Sequence, residues 1–327
     1  MGHSPLILAP EGVSLTDWEY AFFRECDPVG FILFARNVDT PEQLASLTAS
    51  LRDAVGRDAL ILIDQEGGRV QRLGPPHWRQ WAPPLDCAGW PNAARAFWIR
   101  YRIIADELAR VGITANCAPT CDIASGATHP FLMNRCLGQS VEQVTQNARA
   151  SANGLLAGGV LPVLKHMPGH GRAKVDSHHS LPHADVPLFV ASDTDFAPFR
   201  ALADMPLGMT AHITFAGAGP QPATQNAGLI DAVRNDIGFD GLLMTDDISM
   251  EALSGSVTDR ARASWAVGCD VVLHCNGRSN EMEALAQSAP ALTNAAATRL
   301  NTALAHRNAP ETVDIAALEA ELEALTP

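Results

Sequence analysis

Eight short apolar runs punctuate the chain: Leu6–Ala9, Gly30–Phe34, Leu60–Asp64, Ile113–Ala118, Val160–His166, Pro206–Ile213, Gly241–Asp246 and Cys269–His274. Polar turns follow them, and the longer intervals carry helical periodicity, as in Ala93–Val111, Val141–Ala157 and Glu281–Arg307. Runs that are apolar throughout, rather than alternating, suit strands covered on both faces, as in a parallel sheet. Eight β/α units in 327 residues predict a single TIM-type (β/α)8 barrel over 1–327, with a helical tail from about residue 280. A doubly wound open sheet would place a Gly-rich nucleotide turn after its first strand, and Leu6–Gly12 contains none. No Pro- or Ser-rich linker divides the chain.

The polar residues are unevenly placed. Arg36 and Asn37, Asp64, Asp122, Lys165 and His166, His212, and Asp246 and Asp247 all fall at the C-terminal ends of expected strands. In a barrel that end is the active-site mouth, so a polar pocket is expected there. A lone strand-end aspartate such as Asp122 or Asp247 also suits a helix N-cap.

Composition narrows the ligand. A hydrophobic fraction of 47% supports a full core, and a formal net charge of −13 disfavours nucleic acid and anionic membrane as partners. Seven scattered cysteines without a CxxC pair read as reduced thiols, and the expected location is cytoplasmic. The N-terminus has neither a basic region nor a long apolar run, so no signal peptide is expected. The Met-Gly start has Leu6 where myristoylation needs Ser or Thr. No apolar stretch approaches the length of a membrane span.

Three segments carry candidate chemistry. In Lys165-His166-Met167-Pro168-Gly169-His170-Gly171, followed by Asp176-Ser177-His178-His179, proline and glycines force a loop after a strand. A metal reading would use His166, His170, Asp176 and His178, but His-x3-His is a ligand pair only on a helix, which Pro168 and Gly169 forbid. In an extended segment Asp176 and His178 would project to one side, and a carboxylate beside an imidazole keeps a proton available near neutral pH. A solvated polar loop explains the same spacing. In Thr245-Asp246-Asp247-Ile248-Ser249-Met250, Asp246 would face the barrel mouth as nucleophile or base, while Asp247 would cap the next helix. In Asp64-Gln65-Glu66-Gly67-Gly68-Arg69-Val70-Gln71-Arg72, Asp64 would accept from two hydroxyls of one sugar. Arg72 and Arg135 would donate to hydroxyls or carboxylates, or instead brace loop carboxylates.

Together these motifs resemble the β-N-acetylhexosaminidases of glycoside hydrolase family 3, the NagZ type. The resemblance runs from Gly30-Phe31-Ile32-Leu33-Phe34-Ala35-Arg36-Asn37 to Ala266-Val267-Gly268-Cys269-Asp270. It implies a retaining, two-step hydrolysis in which Asp246 is the nucleophile, His178 the acid/base and Asp176 its paired aspartate. It also implies that Asp64, Arg72, Arg135, Lys165 and His166 bind the sugar, that no metal or cofactor is needed, and that the protein is a monomer or weak dimer. The implied substrate is a terminal β-linked N-acetylglucosamine, typically on 1,6-anhydro-muropeptides of cell-wall recycling. Two departures stand out: Met167 replaces the usual Phe, and Thr120-Cys121-Asp122 replaces a more apolar run. Phosphorolysis by the same residues, and a metal-dependent hydrolase built on the histidine loop, are the rival readings.

Overall fold

The computed structural model describes residues 3–326; the Met1-Gly2 start, with its acylation reading, lies outside them. Eight parallel strands close into a barrel: β1 (Ser4–Leu8), β2 (Pro28–Leu33), β3 (Leu60–Ile63), β4 (Ala115–Asn116), β5 (Leu161–Met167), β6 (Leu207–Thr210), β7 (Leu242–Asp247) and β8 (Val271–His274). Each strand pairs with its neighbours in sequence, and β1 also pairs with β8. Eight helices follow the strands: α1 (Asp17–Cys26), α2 (Pro41–Val55), α3 (Ala93–Arg110), α4 (Val141–Ala157), α5 (Ala197–Ala201), α6 (Ala227–Asn235), α7 (Val257–Ala266) and α8 (Ser279–Ser288). This is the expected TIM-type (β/α)8 barrel.

Two expectations need correction. The Ile113–Ala118 run shrinks to the two residues of β4, because Pro119 has no N–H with which to extend the ladder. The Glu281–Arg307 segment is two helices, α8 and α9 (Asn294–Ala305), because Pro290 cannot sit inside one. The chain recaps at Thr293, whose hydroxyl accepts from Ala296 N at 3.1 Å. The helices beyond α8 have separate tasks, and α9 closes the barrel floor. Leu300 and Ala303 of α9 join the buried cluster of Ile7, Leu60, Leu161, Leu207, Leu242 and Val271. Arg299 and Arg307 pair with Asp270 and Asp58, each just before a strand. A last helix, α10 (Ile315–Leu325), packs on α3 through the Arg95–Glu321 pair.

The barrel's two-residue period places the site. On β3, Leu60 and Leu62 face inward while Ile61 and Ile63 face the helices. Leu161 and Val163 on β5, and Leu242 and Met244 on β7, also face inward. Continuing each strand by two residues makes Asp64, Lys165 and Asp246 the next inward side chains. A register break between Leu164 and Met167 turns His166 to the same mouth.

Candidate active site

At the C-terminal mouth lies a cavity of about 270 Å³. Ile32, Met209 and Leu273 line its base, while Asp64, Lys165, His166, Asp246 and His178 supply polar walls.

A chain of buried ion pairs forms one wall. Lys165 Nζ donates to Asp64 Oδ1 at 2.9 Å and to Glu66 Oε1 at 2.5 Å, and Arg72 Nη2 reaches Asp64 Oδ2 at 3.0 Å. Arg135 donates to both oxygens of Glu66, each at 2.9 Å, and its Nη2 lies 3.4 Å from His166 Nε2. Burial by itself would neutralise these groups. Against it, Lys165 and Arg72 hold the Asp64 carboxyl far below its usual range, and Arg135 with Lys165 lowers Glu66. Burial likewise opposes the Lys165 ammonium, but Asp64 and Glu66 raise it above an ordinary lysine. The pairing is reciprocal, so Asp64, Glu66, Lys165 and Arg135 stay charged at neutral pH.

A second network fixes the histidines. Asp122, 1% exposed, receives His166 Nδ1 at 2.7 Å on one oxygen and the His170 backbone N–H at 2.6 Å on the other. Among the described residues, Asp246 accepts only the Asp247 N–H, at 2.8 Å. Burial raises its carboxyl, but His166, His212 and that N–H outweigh burial and keep it below the usual range. It is an anionic carboxylate with lone pairs to spare.

Loops build the rim. Residues Gln65–Gly67 and Val70–Gln71 form an antiparallel ribbon that returns Arg72 to Asp64. Its turn needs Gly67, at φ +106°, where a Cβ would strike the Arg100 guanidinium. Gln65 Oε1 pins the return by accepting from Arg72 N and Leu73 N, both at 3.0 Å. Opposite, the Asp176–His178 pair is a turn rather than the expected extended segment. Asp176 Oδ1 accepts both the His178 N–H at 3.0 Å and the ring Nδ1 at 2.8 Å, while His179 N returns to Asp176 O. An Asx turn of this kind suits Asp-Ser. The His178 ring sits edge-on to Phe131 at 4.8 Å, and the Arg69 guanidinium covers the Phe131 ring at 3.9 Å.

Every proposed site residue except Asp176 lines the cavity; Asp176 touches it through His178. Other expectations change. Arg135 shows the bracing contact, gripping Glu66, while also lining the cavity. Asp64 is already held by two cations. Asp247 caps the Ser249 turn and accepts from Cys275 N, whereas Ser256 caps α7. Arg36 and Asn37 brace backbone carbonyls of Pro10, Gly12 and Cys275. Glu66 and Phe131 join the site without a sequence signal of their own, and Asp122 has only its strand-end position to mark it. Among the described residues, no three His, Cys, Asp or Glu side chains are grouped to hold a metal ion, and no helix is long and apolar enough to cross a membrane.

A pocket at the mouth of a (β/α)8 barrel that gathers an anionic aspartate, imidazoles and flanking ion pairs suits a hydrolase of polar substrates such as sugars. Comparison with known proteins gives the family. The model of the glycosyl hydrolase family 3 N-terminal domain matches residues 26–306. A β-hexosaminidase of Alkalilimnicola ehrlichii is 35% identical, with 83% of this chain and 80% of the relative covered. One of Chromobacterium violaceum is 36% identical, with 88% and 82% covered. The crystal structure of NagZ from Neisseria gonorrhoeae in complex with N-trifluoroacetyl-D-glucosamine superposes with a TM-score of 0.88 at 30% identity, covering 100% of this chain and 99% of that one. This chain belongs to glycoside hydrolase family 3, and within it to the β-N-acetylhexosaminidases of the NagZ type.

Proposed function

We propose that this enzyme is a retaining exo-β-N-acetylglucosaminidase that acts through a glycosyl-Asp246 intermediate with His178 as acid/base. The observation that carries this reading is the meeting of Asp246 and His178 on one cavity with no other carboxylate there free to serve as acid. Asp64 is tied by Lys165 and Arg72, and Asp247 by Ser249 and Cys275. Carboxylate-pair geometry therefore does not set the chemistry here.

The steps follow from the groups present. An Asp246 oxygen attacks the anomeric carbon as its bond to the leaving oxygen breaks, and the His178 imidazolium gives that oxygen its proton. The neutral imidazole then takes a proton from water, which attacks the same carbon and releases Asp246 as carboxylate. Asp176 fixes the ring's Nδ1, leaving Nε2 for the transfer. Asp64, Arg72, Lys165, His166 and Arg135 hold the sugar's polar substituents, and the apolar base supports exo action on a terminal residue. The aglycone proposed is a 1,6-anhydro-muropeptide of peptidoglycan recycling, in line with the family type. A cytoplasmic location fits seven free cysteines. We read the working unit as a monomer or weak dimer, with one catalytic barrel and its helical tail over residues 1–327.

The test is an assay of an aryl N-acetyl-β-glucosaminide beside the aryl β-glucoside, with and without phosphate. Fast phosphate-independent release from the first alone is expected. Preference for the glucoside overturns the reading. Because an imidazole acid does not repel phosphate as a carboxylate would, phosphate-dependent sugar 1-phosphate would show phosphorolysis instead.

A further inference from the structure

His170 has no part in the steps assigned to Asp246 and His178, yet it stands beside them. It follows the Met167-Pro168-Gly169 segment, is 5% exposed and lines the same cavity. Its backbone N–H is anchored on Asp122, while its ring stands edge-on to His166 with centroids 5.5 Å apart. Both ring nitrogens are buried and, among the described residues, have no hydrogen-bond partner. His166, by contrast, has its Nδ1 committed to Asp122.

A buried donor and acceptor left unmade are costly, so native proteins rarely keep them without cause. The ring also stays uncharged. Burial and the neighbouring His166 and Arg135 lower its pKa to about 4, against the pull of Asp122 and Asp246. A neutral imidazole offers one N–H and one lone pair. His170 lines the cavity that Asp246 also lines, so a group entering there is the partner its ring lacks.

We propose that His170 is a further substrate-binding residue, whose neutral ring hydrogen-bonds a polar substituent of the sugar on the Asp246 side of the cavity. This rests on the functional reading above, since the ligand it takes is the sugar that reading assigns. The partner is a hydroxyl or the acetamido group, either of which can accept the ring N–H.

The test compares His170→Phe, which keeps the shape and removes both nitrogens, with His170→Asn, which keeps a donor and an acceptor. Kinetics on the aryl N-acetyl-β-glucosaminide, calorimetric binding of N-acetylglucosamine and thermal unfolding are the three readouts. For the Phe variant, kcat/KM and affinity fall by about 10- to 100-fold. Its Tm stays level or rises, because two unpaired polar atoms leave the core. The Asn variant recovers part of the binding. A Phe variant with unchanged binding and kinetics overturns the inference. So does one that loses Tm and whose loss Asn does not relieve, since that marks a packing role. A wild type that neither binds nor cleaves N-acetylglucosaminides would overturn the functional reading and this inference with it.

Discussion

The wall of the pocket and the loop above it hold their charges in opposite ways. Along the wall, Asp64, Lys165, Glu66 and Arg135 are linked by ion pairs, and Lys165 and Glu66 are each about 1% exposed. Above it, Asp176 and His178 form an isolated pair in a turn, with the His178 side chain 50% exposed. Separating a buried pair leaves an uncompensated charge in low dielectric, so the wall is rigid by energetics. The His178 half of the loop pair is open to solvent, where such a contact contributes little, so displacing it costs little. On the proposed mechanism, the groups assigned to hold the sugar are thus fixed, and His178, assigned to the leaving oxygen and later to a water, is on a segment that can shift.

Removing the proposed nucleophile breaks the fixed half most completely. Asp246→Asn should lower turnover of the aryl N-acetyl-β-glucosaminide by about 10⁴-fold or more, with N-acetylglucosamine binding kept. Steady-state kinetics beside calorimetry check it. Glu66→Gln attacks the wall without touching the reacting atoms. It strands Arg135 and takes one of two carboxylates from Lys165, so the fold should lose about 3–5 kcal/mol, read as a fall in Tm or denaturation midpoint. An unchanged midpoint would mean that the wall is no more rigid than the loop.

On the loop side, His178→Ala should leave Tm nearly unchanged, since the side chain is half exposed. Its kinetic loss should be about 10²- to 10⁴-fold for a sugar leaving group and much smaller for an activated nitrophenolate. Equal losses on both would remove His178 as the acid. The smallest effect is a slope with pH. The His170 pKa is depressed in the fold to about 4 from an ordinary 6.5, so between these values the unfolded chain binds the extra proton. Stability should therefore be complete above pH 6.5 and decline towards pH 4, by no more than about 3 kcal/mol from this group. His170→Phe should flatten that decline in thermal scans. The wall carboxylates, whose pKa values are lowered, lose their stabilisation only as pH falls below the ordinary carboxylate range.

Most of the barrel was legible because its signal is local. Apolar runs mark the strands, and the alternation that buries Leu60 and Leu62 also delivers Asp64 to the mouth, as Leu242 and Met244 deliver Asp246. Residues whose meaning lies in a distant partner were not legible. Glu66 matters through Arg135, 69 positions away, and Asp122 through His166, 44 positions away. Spacing alone could not decide whether Arg135 meets sugar or carboxylate. The turn at Asp176 and the helix break at Pro290 were readable in kind, because Asp-Ser favours a side-chain-capped turn and proline ends a helix. Helical periodicity on both sides of Pro290 outweighed the proline, and a separation of one residue between Asp176 and His178 suits an extended segment as well as a turn.

The most direct test is to trap the intermediate. The wild-type enzyme is incubated with a 5-fluoro derivative of N-acetylglucosaminyl fluoride, which forms the ester quickly and hydrolyses slowly, and its peptides are mapped by mass spectrometry. One glycosyl unit, carried on Asp246, is the expected result. A label on any other residue, or none from an enzyme that still consumes the reagent, would contradict a covalent mechanism through this aspartate.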